Sequence, residues 1–263
     1  AMDFQEIIYE KRDGAAYITL NRPEEANALT LQTVRELHRA AIDCDQDRAV
    51  RAVLITGKGK MFCAGGDLKF FLSQGDGLAV TLAQMTSHFH GAIATFNRMD
   101  APVVCAVNGT AAGGGLSFAI SNDIVIAAQS AKFTMAYTAA ALSPDGSSSW
   151  FLPRLIGLRR AKELTLTNRV LSAAEAREYG LIDRVVADDV LAAEAEAQVR
   201  AFADGPTRAY GAVKRLFAAS YETGMEVQME LESRSIATLA PARDGQEGMT
   251  AFAAKRKPVF RGE

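Results

Sequence analysis

The chain has 263 residues, 49% of them hydrophobic, which is enough apolar material for one full core or a core with an appendage. A formal net charge of −2 and a pI near 6.0 exclude the broad basic footprint of a nucleic-acid binder, but they leave room for a local basic patch facing a charged small molecule. No apolar run reaches the ~20 residues of a membrane span, no signal peptide is predicted, and Ala1 ahead of Met2 reads as an expression scar.

Three cysteines, Cys44, Cys63 and Cys105, read as reduced, buried thiols, which points to the cytoplasm. The three histidines, His38, His88 and His90, are too few and too clustered to predict a metal site. In chain order, strands are predicted over 4–10 and 15–20, joined by a hairpin at Asp13-Gly14. A polar loop over 21–28 leads to Thr30, a predicted cap for a helix with the apolar stripe Leu31, Val34, Leu37 and Ala41. A buried strand over 52–56 stops at Gly57-Lys58-Gly59. Small residues at Ala64-Gly65-Gly66 then precede a helix. Leu78, Leu82, Met85, Phe89, Ile93 and Phe96 keep helical spacing, and Gln74-Gly75-Asp76-Gly77 ahead of them reads as a mobile loop. Residues 70–99 are expected to shape a pocket.

The run 102–109 is apolar and β-branched, a buried strand that breaks at Asn108-Gly109. It gives way to Gly113-Gly114-Gly115 at the start of a helix, where alanine would be cheaper. Glycines there permit close approach to the main chain, and a helix start presents unpaired N–H groups that suit an anion. Tight strand–helix packing explains the triplet equally well. Short strands are predicted over 123–128, 132–135 and 181–186, with helices over 158–168 and 172–179. Ser143-Pro144-Asp145-Gly146-Ser147 is a turn leading into a helix that carries Trp150. From Asp188 the pattern is helical to the end, with Pro206 in a first turn. Strand-then-helix units repeating about three times predict a stacked α/β spiral.

Nucleotide-binding and hydrolase motifs fail. Residues 109–115 do not give G-x-G-x-x-G, Gly57-Lys58-Gly59-Lys60 lacks the phosphate-loop frame, and Gly115-Leu116-Ser117-Phe118-Ala119 lacks the second glycine of G-x-S-x-G. A triad of Ser117, His90 and an aspartate stays open by geometry. Gly65-Gly66 and Gly113-Gly114 together can aim two N–H groups at one oxygen, each worth ~2.7–4 kcal/mol to a developing oxyanion.

Several ordered motifs then carry a family resemblance. They are Asn21-Arg22-Pro23, Asn27-Ala28-Leu29, residues 62–68, residues 107–115, residues 152–157, and Phe252 with Lys255-Arg256-Lys257. Together they resemble the crotonase (enoyl-CoA hydratase/isomerase) superfamily over essentially the whole chain. The pattern is most similar to isomerases of the phenylacetate-pathway type. The resemblance implies an α/β fold with a ββα spiral core over 1–187 and a helical trimerisation layer over 188–263. It also implies an acyl-CoA substrate, a homotrimer or hexamer, and neither metal nor redox cofactor. Under it Gly66 and Gly114 are oxyanion donors, Ala26, Ala64 and Leu68 line the CoA path beside Asp67, and Phe252 and Lys255 reach a neighbouring subunit's CoA.

The resemblance also marks a departure. Hydratases of this superfamily carry two glutamates where Ser117 and Tyr137 stand, and neither replacement is a base near neutral pH. Asp145 matches the catalytic aspartate of the isomerases, and aromatic surroundings (Phe133, Tyr137, Trp150) are expected to favour its proton-holding form. The expected activity is double-bond migration in an enoyl-CoA. The alternatives are hydration through Asp145, dehalogenation like that of 4-chlorobenzoyl-CoA dehalogenase (Asp145 nucleophile, His90 activating water), and CoA-thioester binding without catalysis.

Overall fold

A computed structural model describes residues 3–263; the reading of Ala1 and Met2 lies outside them. The hairpin forms as expected, with β1 (Ile7–Arg12) antiparallel to β2 (Ala15–Leu20) and both Asp13 and Gly14 at positive φ in the turn. Thr30 caps α1 (Leu31–Gln46) by accepting from Thr33 N at 3.1 Å. β3 (Ala52–Gly57) follows, then α2 (Leu68–Ser73) and α3 (Leu78–Arg98). The 74–77 segment between these helices is a 3-10 turn.

The central strand is β4 (Val103–Val107), buried throughout. It leads through the two-residue β5 (Ala111–Ala112) into α4 (Gly114–Ile120), which is buried along its whole length. β6 (Ile124–Ala128) and β7 (Lys132–Thr134) come next. They are followed by α5 (Ser148–Ile156), α6 (Leu158–Thr167), β8 (Leu171–Ser172), α7 (Ala173–Glu178) and β9 (Arg184–Val186). The main sheet has the order β1-β2-β3-β4-β6-β9, parallel beyond the hairpin, and β5, β7 and β8 form a second, short sheet. The pairs β4–β5, β6–β7 and β8–β9 each give one strand to each sheet, so the chain winds as a spiral. Phe62, Phe96, Phe118 and Phe133 are fully buried in the core that the turns share.

The C-terminal segment is helical as far as Ala253, through α8 (Leu191–Ala203), α9 (Thr207–Ala219), α10 (Met225–Leu239) and α11 (Arg243–Ala253), whereas the last ten residues, expected to be helical, are not. Its first helix packs back on the main sheet through Leu191, Ala195, Val199 and Ala203, whereas α10 buries no residue. Pro206 sits one residue ahead of α9, at its cap. Among the described residues no helix is long and apolar enough to cross a membrane. The three thiols are unpaired and buried, and burial pushes those of Cys44 and Cys63 up to about 12, so they stay protonated.

Candidate active site

The site begins with two main-chain segments held in contact. Leu29 N donates to Gly65 O at 2.7 Å, and Asp67 N donates to Leu29 O at 2.9 Å. In a parallel bridge of this kind the central residue, Gly66, turns its own N–H away from the partner. Alongside, Ala112 N donates to Cys63 O at 3.0 Å, and Gly113 N donates to Thr134 O at 3.1 Å. Gly114 is then the first residue of α4, where an amide has no acceptor within the helix.

The glycines serve distinct purposes. Gly65 and Gly113 have φ of 95° and 51°, a region costly for residues with a Cβ. A Cβ on Gly65 would lie 2.8 Å from Ala112 O and 3.1 Å from Gly114 N, so the segments touch backbone to backbone. A Cβ on Gly115 would lie 2.2 Å from Cys63 O, whereas one on Gly114 would meet nothing nearer than Leu29 Cδ1 at 3.4 Å, with Gly65 Cα and Phe89 Cε1 at 3.8 Å. Packing therefore accounts for Gly115, and Gly114 is the member whose amide is left at the cavity.

Gly66 and Gly114 both line a cavity of about 290 Å³. Its walls are mostly apolar, with Leu29, Phe71, Leu82, Met85, Phe89 and Leu142. Ala64, Leu68, Tyr137 and Asp145 complete the group of expected residues that face it, and Asp145 is the one carboxylate among the described lining residues. The Pro-Asp-Gly turn delivers that carboxylate. Gly146 has φ of 61°, and a Cβ there would lie 2.7 Å from the Phe89 ring and 2.9 Å from Ser117 Cβ. The Asp145 carbonyl accepts from Ser148 Oγ at 2.9 Å, which fixes the turn to the start of α5.

Tyr137 Oη donates to Asp145 Oδ1 at 2.7 Å and lies 2.8 Å from Ser117 Oγ. Ser117 Oγ also lies 3.2 Å from Gly113 O. Burial first, and then the Asp145 charge, push the pKa of the Tyr137 phenol upward, so it keeps its proton and donates it to a hydrogen bond and does not act as a base. His90 reaches the same turn from α3: its Nε2 accepts from Gly146 N at 3.0 Å and lies 3.5 Å from Asp145 Oδ2. A backbone N–H can only donate, so in this arrangement the ring proton is on Nδ1.

The other expected residues sit elsewhere. The Ala26 carbonyl accepts from Ala64 N at 3.0 Å, beside the cavity but outside its walls. Asp67 caps α2 by accepting from Phe70 N at 3.0 Å and pairs with Arg22 at 3.1 Å, so both oxygens are engaged. Phe252 and Lys255 lie at the end of α11, away from the cavity walls, with Phe252 87% exposed.

Comparison with known protein families matches residues 10–263 to the family described as enoyl-CoA hydratase/isomerase. The chain belongs to this family. It is 37% identical to the 1,2-epoxyphenylacetyl-CoA isomerase of Escherichia coli K12 over 258 residues, 98% of each chain. It is 31% identical to the trans-2-decenoyl-[acyl-carrier-protein] isomerase of Streptococcus mutans over the full length of both. Among solved structures, the enoyl-CoA hydratase of Bacillus anthracis superposes with a TM-score of 0.91 at 32% identity, covering 98% of this chain and all of that one. The crotonase-type spiral and the status of an enzyme of this family are thereby shown.

Within this family member, Leu82, Met85, Thr86 and Phe89 line the cavity from α3, as the expectation for 70–99 required. Phe71 lines it from α2, within the same 70–99 stretch, whereas Leu29 lines it without having been expected there. Leu29 carried a signal, since it stands in the Asn27-Ala28-Leu29 motif. For Phe71 the stretch was expected but the residue was not, because two adjacent phenylalanines on a six-residue helix do not reveal which of them turns inward.

Proposed function

We propose that the chain shifts the double bond of an enoyl-CoA thioester through an enolate. The observation that carries this reading is that Asp145 is the one carboxylate among the described residues of the cavity wall, in a cavity that Gly66 and Gly114 also line. The thioester oxygen accepts from the Gly66 and Gly114 amides. Asp145 takes a proton from the carbon at one end of the allylic system, and the electron pair of that C–H bond moves into the enolate, placing charge on the thioester oxygen. The same carboxyl returns the proton at the other end, so the double bond moves and no atom is gained or lost. The step balances without a metal or a redox cofactor, and coenzyme A enters only as part of the substrate.

The similarity to a trans-2-decenoyl-[acyl-carrier-protein] isomerase supports this direction, and the similarity to 1,2-epoxyphenylacetyl-CoA isomerase supports isomerisation of a CoA thioester. Hydration by a carboxylate pair around a water lacks its second carboxylate here. Ser117 and Tyr137 offer hydroxyls instead, and Tyr137 stays protonated. The dehalogenase reading needs a free lone pair on His90, and the Nε2 lone pair is engaged by Gly146 N–H. The test is a panel of CoA thioesters containing 3-hexenoyl-CoA, a ring-derived enoyl-CoA and 4-chlorobenzoyl-CoA, analysed for isomerised, hydrated and dehalogenated products. Isomerised product is expected. Water addition as the dominant outcome, or no turnover of any member, overturns the reading.

The proposal extends to assembly. Phe217, Met225, Ile236 and Phe252 on α9, α10 and α11 are 70%, 74%, 69% and 87% exposed in the single chain, more apolar surface than a monomer ordinarily leaves in water. Trimers, paired as hexamers, cover it and bring Phe252 and Lys255 to a neighbour's CoA. Light scattering is expected to return the mass of a trimer or hexamer at micromolar concentration; a compact monomer overturns this.

A further inference from the structure

We propose that Tyr137 is a positioning residue for Asp145: its hydroxyl holds Oδ1, leaving Oδ2 as the oxygen that takes and returns the proton, and Ser117 holds the phenol in place. The inference rests on the isomerase reading above and adds to it which atom acts and what aims that atom. Ser117 and Tyr137 form one chain of hydrogen bonds ending on the aspartate.

The geometry leaves little choice of roles. A phenol has one proton to donate, and Tyr137 gives it to Asp145 Oδ1 at 2.7 Å. Ser117, fully buried, then donates to the vacant side of Tyr137 Oη at 2.8 Å, which is the shorter of its two contacts. Oδ2 has no donor among the described residues. Its nearest polar neighbour, His90 Nε2 at 3.5 Å, directs its lone pair at Gly146 N–H and so offers Oδ2 no proton.

One carboxylate oxygen is therefore tied and the other is free. A C–H proton delivered to Oδ2 makes an O–H bond there, and the Tyr137 bond to Oδ1 persists in both protonation states. The carboxyl need not rotate between taking the proton and giving it back. Tyr137 itself is held from several sides. It begins a 3-10 turn bounded by Ala136 and Ala141, both in the left-handed region with φ of 55° and 57°, and its N–H donates to Met135 O at 2.6 Å.

The test is Tyr137→Phe, which keeps the ring on the cavity wall and removes only the hydroxyl, assayed with 3-hexenoyl-CoA by the absorbance of the conjugated product. The expected result is a fall in kcat of at least about tenfold with KM little changed, because misaiming a reacting group taxes the chemical step and not binding. In an Asp145→Asn background the same change is expected to add almost nothing, since the tyrosine acts through the aspartate. Ser117→Ala, which keeps the fold with the smallest change of volume, is expected to lower kcat less than Tyr137→Phe does, again at constant KM.

An unchanged kcat in Tyr137→Phe, beside an Asp145→Asn enzyme that is inactive, overturns the positioning role and leaves the isomerase reading intact. A loss shared between kcat and KM, or an equal loss in the Asp145→Asn background, identifies Tyr137 as cavity wall only and also overturns it. If Tyr137→Phe does not fold, Ser117→Ala decides by the same criterion. Full activity in Asp145→Asn instead removes the isomerase reading and this inference with it.

Discussion

Asp145→Asn is expected to lower kcat for double-bond migration by at least ~10²-fold, the lower end of what general acid–base catalysis contributes. Asparagine is nearly isosteric and still accepts from Tyr137 Oη through its carbonyl oxygen, so the turn and its hydrogen bond to α5 persist. What is lost is the oxygen that accepts a proton and gives it back. The Gly66 and Gly114 amides are untouched, so affinity for the CoA thioester is expected to change little. Steady-state kinetics with 3-hexenoyl-CoA, together with calorimetric binding of a saturated acyl-CoA, check both halves. The dehalogenase alternative also predicts loss of activity, but only a dehalogenase traps an aryl ester on Asp145, which mass spectrometry detects. Undiminished isomerase activity in Asp145→Asn returns Pro144-Asp145-Gly146 to being a turn and nothing else.

The second large effect concerns stability and separates neighbours in the glycine triplet. Gly115→Ala places a Cβ 2.2 Å from Cys63 O and 2.7 Å from Cys63 Cβ, both in the fully buried core. The obstacle is main chain, not the movable end of a side chain, so β5, α4 or the 63–66 segment must shift. The expected cost is about 3 kcal/mol, the upper end for overpacking. Gly114→Ala meets nothing nearer than Leu29 Cδ1 at 3.4 Å, an ordinary contact, and its cost is expected to stay below about 1 kcal/mol, offset in part by the lower entropy of the unfolded chain. Denaturant melts of the two variants side by side test the contrast. Equal stabilities remove the division of the triplet into a packing glycine and a cavity glycine.

That division shows what a sequence can and cannot disclose. Asp13-Gly14, Gly65-Gly66, Gly113 and Asp145-Gly146 were legible because each answers a local demand, a positive φ or a missing Cβ, that leaves glycine in the text. The long stripes of α1 and α3 were legible for the same local reason, a 3.6-residue period. The choice between packing and an anion cradle was not legible, because it depends on which of three identical residues faces Cys63 and which faces the cavity. β5 and β8, two residues each, are too short to show alternation and exist only through pairing with β7. The bond from Tyr137 to Asp145 was equally hidden. It depends on two alanines adopting left-handed backbone, a conformation that alanine does not advertise. His90 reads as a polar residue on an amphipathic helix, and only the return of the chain 56 residues later gives it Gly146 as partner.

The contact between Gly65 and Gly114 has an evolutionary consequence. The floor of the cavity is peptide backbone, and backbone atoms are the same whichever amino acid a codon specifies. A single substitution deletes an amide donor there only by introducing proline. Tyr137 and Asp145, by contrast, line the cavity with side chains, and Ser117 meets Tyr137 from behind; one codon change replaces any of them outright. If those side chains handle the proton as proposed, drift in this gene rewrites them long before it removes the amide pair, and descendants of this chain differ first in the reaction they run.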